Sequence, residues 1–176
     1  RQEAETLARC GALEGLGSIP ALLARITPGG WRAGQPTLFD LQAEDGADWS
    51  VEQKVAAQQD ILGASLEAHP LELLAGKITA AHAISTLEAA ARIGQRVTVA
   101  GLRQVSRRSR TAKGEWMYFL TLEDLDGLLD VVFFPDAYRR NRAALQGGGP
   151  WLISGTVEMD AERGEALLRA DRATLL

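Results

Sequence analysis

The sequence holds a single cysteine, Cys10, in 176 residues. An intramolecular disulfide is therefore impossible, and no cysteine cluster exists to hold zinc. Histidine is nearly as scarce. His69 and His82 stand far apart with no Cys or carboxylate pattern around either, so both read as structural. No apolar run reaches the length of about 18 residues that a membrane helix needs. No signal peptide is visible. A Gly-rich phosphate loop, a Ser-His-Asp constellation and a recognisable pair of catalytic carboxylates are all missing. There is no internal repeat and no low-complexity tract. The chain starts on Arg1 rather than Met, and so reads as a piece of a longer protein. With 46% hydrophobic and 24% charged residues, the composition is that of a soluble globular protein, and these traits together point to the cytoplasm and away from a membrane.

Charge is unevenly spread. The chain carries a net charge of -4, which argues against wholesale electrostatic wrapping of nucleic acid. Residues 1–95 hold 7 Lys and Arg against 12 Asp and Glu, whereas residues 96–176 hold 12 against 11. The second half contains the one strong basic cluster. Arg103, Arg107, Arg108, Arg110 and Lys113 fall close together with no acid among them.

The first half reads as helices around a linker. Residues 3–17 suggest the end of a helix and a Gly-bounded turn, and Ser18 and Pro20 start a second short helix with Leu22, Leu23 and Ile26 on one side. Residues 27–50 have no sustained periodicity and carry Pro28, Gly29, Gly30, Gly34, Pro36 and Gly46. This is a linker. In its middle lies Gln35-Pro36-Thr37-Leu38-Phe39, an apolar pair with no local core to join. Ser50 with Gln53 forms a capping box. Val51, Val55, Leu62 and Leu66 recur behind it at near-helical spacing, and His69-Pro70 is expected to end that helix. Ser85 with Glu88 opens another helix.

From Arg96 onward the pattern changes to strands. Val97 and Val99 alternate with polar residues before Gly101. Residues 116–122 (WMYFLTL) are aromatic and β-branched. Asp126-Gly127 is a hairpin turn signal before the return strand of residues 128–134. Residues 137–145 are helical in composition, and a last strand pair spans 151–159 and 166–175. The expected class is α+β: a helical N-terminal segment and linker, then a five-stranded barrel with one short helix between strands 3 and 4. That is the order of an OB fold. Expected boundaries are 1–27, 28–50, 51–94 and 95–176. Alternation places Leu120, Leu122, Leu129, Val131 and Phe133 inside the barrel and Phe119 on its outer face. The basic cluster is expected in the loop between strands 1 and 2.

Four stretches, in order and roughly in spacing, resemble the C-terminal region of the bacterial DNA polymerase III alpha subunit, a C-family replicative polymerase. Residues 7–17 are similar to the run that closes its helix-hairpin-helix region. Gln35 to Phe39 resembles its sliding-clamp-binding motif. Residues 61–72 resemble the Leu-Gly…Gly-His-Pro-Leu stretch that follows, with Ala68 in place of the usual Gly. Residues 111–135 are similar to its OB domain. The resemblance implies a non-catalytic part of that polymerase. The palm and its Mg-binding aspartates would lie upstream, and no cofactor is implied here. It also implies a sliding clamp, single-stranded DNA and other replisome subunits as partners.

Each motif has a plainer reading. Gln35, Leu38 and Phe39 would seat in a clamp pocket; alternatively Leu38 and Phe39 fold back onto the helices. Arg103, Arg107, Arg108, Arg110 and Lys113 would contact phosphates; alternatively they form a solvated basic loop. Phe119 would stack on a base, while Trp116 and Tyr118 fit barrel core at least as well. The acids Glu123, Asp124, Asp126, Asp130 and Asp136 read as solvation rather than as a metal site. Two other functions compete: the anticodon-binding OB domain of a class II aminoacyl-tRNA synthetase, which residues 119–124 also resemble, and a protein-docking OB module.

Overall fold

The computed structural model describes residues 2–26 and 46–176. The chain forms two compact units, Arg1–Pro70 and Leu71–Leu176. The clamp-motif residues Gln35, Leu38 and Phe39 lie outside the described residues.

The first unit contains α1 (Gln2–Arg9), α2 (Ile19–Ile26) and α3 (Val51–Leu62). Asp48 ties two of these together. Its carboxylate accepts from the Ile19 N–H at 2.8 Å and pairs with Lys54 at 2.8 Å. The Lys54 ammonium and the Ile19 N–H hold that carboxyl below the usual carboxylate range. The capping box forms as expected, with Ser50 accepting from Gln53 and Gln53 accepting from Ser50. The rest of α3 departs from the apolar pattern. Val51, Leu62 and Leu66 are exposed, and the helix buries Val55, Ala57 and Gln58. Gln58 explains the turn of the face. Its amide donates to the Cys10 carbonyl at 3.3 Å and accepts from the Ser65 hydroxyl and the Leu66 and Glu67 N–H groups. A buried amide that satisfies several backbone groups outweighs the burial of one more leucine. The helix also stops earlier than His69-Pro70. Gly63 takes φ 71° and closes the last turn on the Gln59 carbonyl, a conformation that suits glycine at a helix end.

The second unit is a closed barrel of β1 (Arg96–Arg110), β2 (Trp116–Glu123), β3 (Leu128–Phe133), β4 (Trp151–Met159) and β5 (Ala166–Leu175). The strand order is β1-β2-β3-β5-β4, with β3 and β5 parallel and the other neighbours antiparallel. Helix α6 (Pro135–Leu145) sits between strands 3 and 4. This is the expected OB-like, mixed α+β arrangement. The inward set is as the alternation requires. Leu120, Leu122, Leu129, Val131 and Phe133 are all buried, beside Trp151, Ile153 and Leu168. Tyr118 also belongs to the core, stacked on Tyr138 of α6 at 5.3 Å between ring centroids.

The barrel unit begins well before its first strand, and the boundary drawn from the sequence at residue 95 lies inside it. Helices α4 (Ala75–Ala80) and α5 (Thr86–Ala90) precede β1. Ile84 donates to the Thr98 carbonyl, and Ala89 is wholly buried in the barrel core. Asp124 makes the main polar bond between them. It accepts from the Thr86 N–H and hydroxyl, both at 2.7 Å, and from the Asp126 and Gly127 N–H groups of its own turn. One carboxylate thus shapes the β2–β3 turn and seats α5. Asp126-Gly127 turns the chain within this four-residue connection rather than as a bare dipeptide. Asp124→Ala should cost about 3 kcal/mol, since several charge-assisted bonds go and Thr86 loses its partner. A thermal melt of the 71–176 unit should fall by roughly 10 °C. An unchanged melt would show that α5 is held by apolar packing alone.

Candidate nucleic-acid interface

The basic cluster is not a loop. β1 runs on to Arg110, so Arg103, Arg107, Arg108 and Arg110 all stand on a strand, and only Lys113 lies in the turn. The reason is across the ladder. Arg107 pairs with Phe119, Arg108 with Tyr118 and Arg110 with Trp116. The aromatic strand thus holds the basic one extended, through backbone bonds and through ring contacts. The Arg107 guanidinium lies 4.5 Å from the Phe119 ring centre, Arg110 lies 4.6 Å from Trp116, and Arg108 lies 5.8 Å from Trp116. Arg103 lies 5.6 Å from the ring of Trp151. Gln104 is the extra residue at a bulge between Arg103 and Val105, which twists this ribbon as it leaves the barrel.

Five other arginines of the unit, Arg92, Arg96, Arg139, Arg163 and Arg169, each pair with a carboxylate. Among the described residues, Arg140, Arg142 and Arg172 do not, and neither do the four ribbon arginines. An arginine stacked on a ring keeps its N–H edge free for an anion.

Phe119 is on the outer face, half-buried, as its parity requires. It lies in a groove of about 550 Å³. Val105, Arg107, Met117, Phe119 and Phe134 line one side, and the β4–β5 turn with Asp160, Glu162, Arg163 and Glu165 lines the other. Those acids are partly engaged. Asp160 accepts from the Glu162 and Arg163 N–H groups, which hold its carboxyl below the usual range. Asp130 accepts from the Thr121 hydroxyl at 2.7 Å and pairs with Arg163 at 3.3 Å. The groove therefore has one apolar and basic side and one acidic side. A polyanion entering it must run its backbone along the β1–β2 side.

Of the other expected site residues, Arg103 and Lys113 are exposed and lie outside the groove lining, and so do Arg108 and Arg110. Sequence reading missed Met117 and Phe134 as groove residues. Phe134 carries a signal, since it directly follows the strand and precedes the Pro135 that starts α6. Glu123, Asp124, Asp126, Asp130 and Asp136 do not gather; no cluster able to hold a metal occurs among the described residues. No described helix is long and apolar enough to cross a membrane.

No family model matches the chain. Curated relatives do. The DNA polymerase III alpha subunit of Halalkalibacterium halodurans is 31% identical over 176 aligned residues, covering 93% of this chain and 15% of that protein. The error-prone DNA polymerase of Alkalilimnicola ehrlichii is 32% identical over 164 residues, covering 90% of this chain and 16% of that protein. The chain is homologous to the C-terminal region of the DNA polymerase III alpha subunit. Both the alpha subunit and the error-prone polymerase match across the helical unit and the barrel alike, with the chain spanning about a sixth of either relative's length. Among solved structures, asparaginyl-tRNA synthetase from Pyrococcus horikoshii aligns with 53% of this chain and 22% of its own, at 18% identity and a TM-score of 0.42. That likeness carries no functional argument.

Proposed function

We propose that this chain is a non-catalytic part of a DNA-directed DNA polymerase, where it binds single-stranded template on the barrel and tethers the parent protein to the sliding clamp. The observation that carries the DNA reading is the β1–β2 ribbon. Each of its four arginines lies over an aromatic ring, and none pairs with a carboxylate among the described residues. Arg103, Arg107 and Lys113 take phosphates of this strand, whereas Arg108 and Arg110 leave from the opposite face of the ribbon. A base displaces the Arg107 guanidinium from Phe119 and stacks on that ring, which frees Arg107 for the backbone. The family context supports this reading, and with it a cytoplasmic location and other replisome subunits as partners. Titration of labelled oligo-dT into the protein tests it. Binding should be modest, steeply salt-dependent and stronger than to blunt duplex. Equal indifference to both DNAs at low salt would overturn it.

The clamp half rests on the Gln35, Leu38 and Phe39 motif and its likeness to the family's clamp ligand. Burying Leu38 and Phe39 is worth roughly 3 to 6 kcal/mol before ordering costs, enough for micromolar-scale affinity. Leu38→Ala with Phe39→Ala should abolish capture of the protein by immobilised bacterial clamp and leave the thermal melt unchanged. Undiminished capture would discard the motif, and a much lower melt would make these side chains core.

A further inference from the structure

The ribbon has two faces, and both are armed. Residues paired across an antiparallel ladder project to the same side, and successive pairs alternate. Val105–Thr121, Arg107–Phe119 and Ser109–Met117 therefore share one face, which is the groove. Ser106–Leu120, Arg108–Tyr118 and Arg110–Trp116 share the other. On that second face Leu120 and Tyr118 turn into the core, but beyond them Trp116 is 45% exposed. It carries two guanidinium groups, from Arg108 and Arg110. The turn at the tip adds Lys113 and Glu115, whose charges cancel.

An exposed tryptophan between unpaired arginines is an anchor for a stacked, anionic partner.

A single strand in the groove cannot also reach Arg108 and Arg110, because these leave from the opposite side of the ribbon. We infer that the β1–β2 ribbon is a strand-separating wedge: one strand of a DNA fork lies in the Phe119 groove, and its complement runs along Trp116, Arg108 and Arg110. This rests on the single-strand reading above and adds to it a second, separable strand. The preferred ligand is then a junction where duplex opens into two single strands.

Fluorescence anisotropy of the full chain with three labelled DNAs tests the wedge. These are oligo-dT, a blunt duplex and a Y-shaped fork whose arms are oligo-dT. The fork should bind about tenfold more tightly than oligo-dT, the effect of one or two added charge-assisted contacts. Arg108→Ala with Arg110→Ala, and separately Trp116→Ala, should bring fork affinity down to that of oligo-dT and leave oligo-dT binding as it was. All three side chains are exposed, so the melts should not change; a variant that melts lower is replaced by Arg108→Gln with Arg110→Gln. Equal affinity of wild type for fork and oligo-dT overturns the wedge while leaving the groove reading intact. So does a double variant that loses oligo-dT as strongly as fork. Loss of the groove reading shows up elsewhere, as wild-type protein that does not bind oligo-dT at all.

Discussion

Gly155→Ala is expected to unfold most of the barrel unit at temperatures where the natural protein is intact. A Cβ on Gly155 would sit 2.1 Å from the Arg169 carbonyl oxygen and 2.8 Å from the Ala170 Cα. Both are backbone atoms of the paired strand, so no side chain can rotate out of the way. The backbone cannot give way easily either. Gly155 faces Ala170 in β5 on one side and Val97 in β1 on the other, next to an irregularity in the β4–β5 ladder. The strand is central, and the close approach is what lets the barrel close there. Overpacking a core with a side chain costs about 1 to 3 kcal/mol. Driving two backbones apart should cost more, roughly 4 kcal/mol, against a typical total of about 5 to 15. The melt should fall by about 20 °C. Gly164→Ala is the control. Gly164 lies in the β4–β5 turn at φ 67° with nothing near a new Cβ, so only backbone strain is added. That should cost about 1 kcal/mol. If Gly155→Ala melts within a few degrees of the natural chain, β4 and β5 can separate locally, and the barrel is looser than its ladder suggests.

The barrel was legible in the sequence because its strands alternate strongly and its turns carry Gly, Asp and Pro. Leu120, Leu122, Leu129, Val131 and Phe133 could be assigned to the interior from parity alone. Phe119 follows from the same parity. The length of β1 could not be read that way. Residues 104–110 (QVSRRSR) have no apolar alternation, and by local preference they resemble a solvated loop. What holds them extended is the facing strand, 6 to 12 residues further along the chain, through Phe119 and Trp116 under the arginines. The face of α3 was hidden for a similar reason. Periodicity favours its leucines, but the loop at 65–67 supplies donors that only Gln58 can meet. Where side-chain hydrogen bonding or cross-strand stacking decides the outcome, hydrophobic periodicity has nothing to register.

Phe119 and Arg107 should separate stacking from charge in one salt series. Phe119→Ala removes the ring from the groove, and loss of a stacked base is worth about 1 to 3 kcal/mol, so oligo-dT affinity should drop roughly tenfold or more. Stacking releases no counterions, so the slope of log K against log salt should not move. Arg107→Ala should do the reverse. It removes one phosphate contact, and the slope should flatten by about 0.7. Its ring partner is then uncovered, so part of the lost affinity returns at high salt, where the charge counts for least. Arg163 supplies the comparison within the same groove. It pairs with Asp130 on the acidic side, away from the proposed path of the backbone. Arg163→Ala should leave the slope as in wild type. Thermal melts of all three variants guard against a folding artefact. Normal oligo-dT binding by a folded Phe119→Ala protein would remove the ring from the site. A flattened slope in Arg163→Ala, equal to that of Arg107→Ala, would mean that the phosphates cross the groove to the β4–β5 turn, and that the basic ribbon does not set the strand's path.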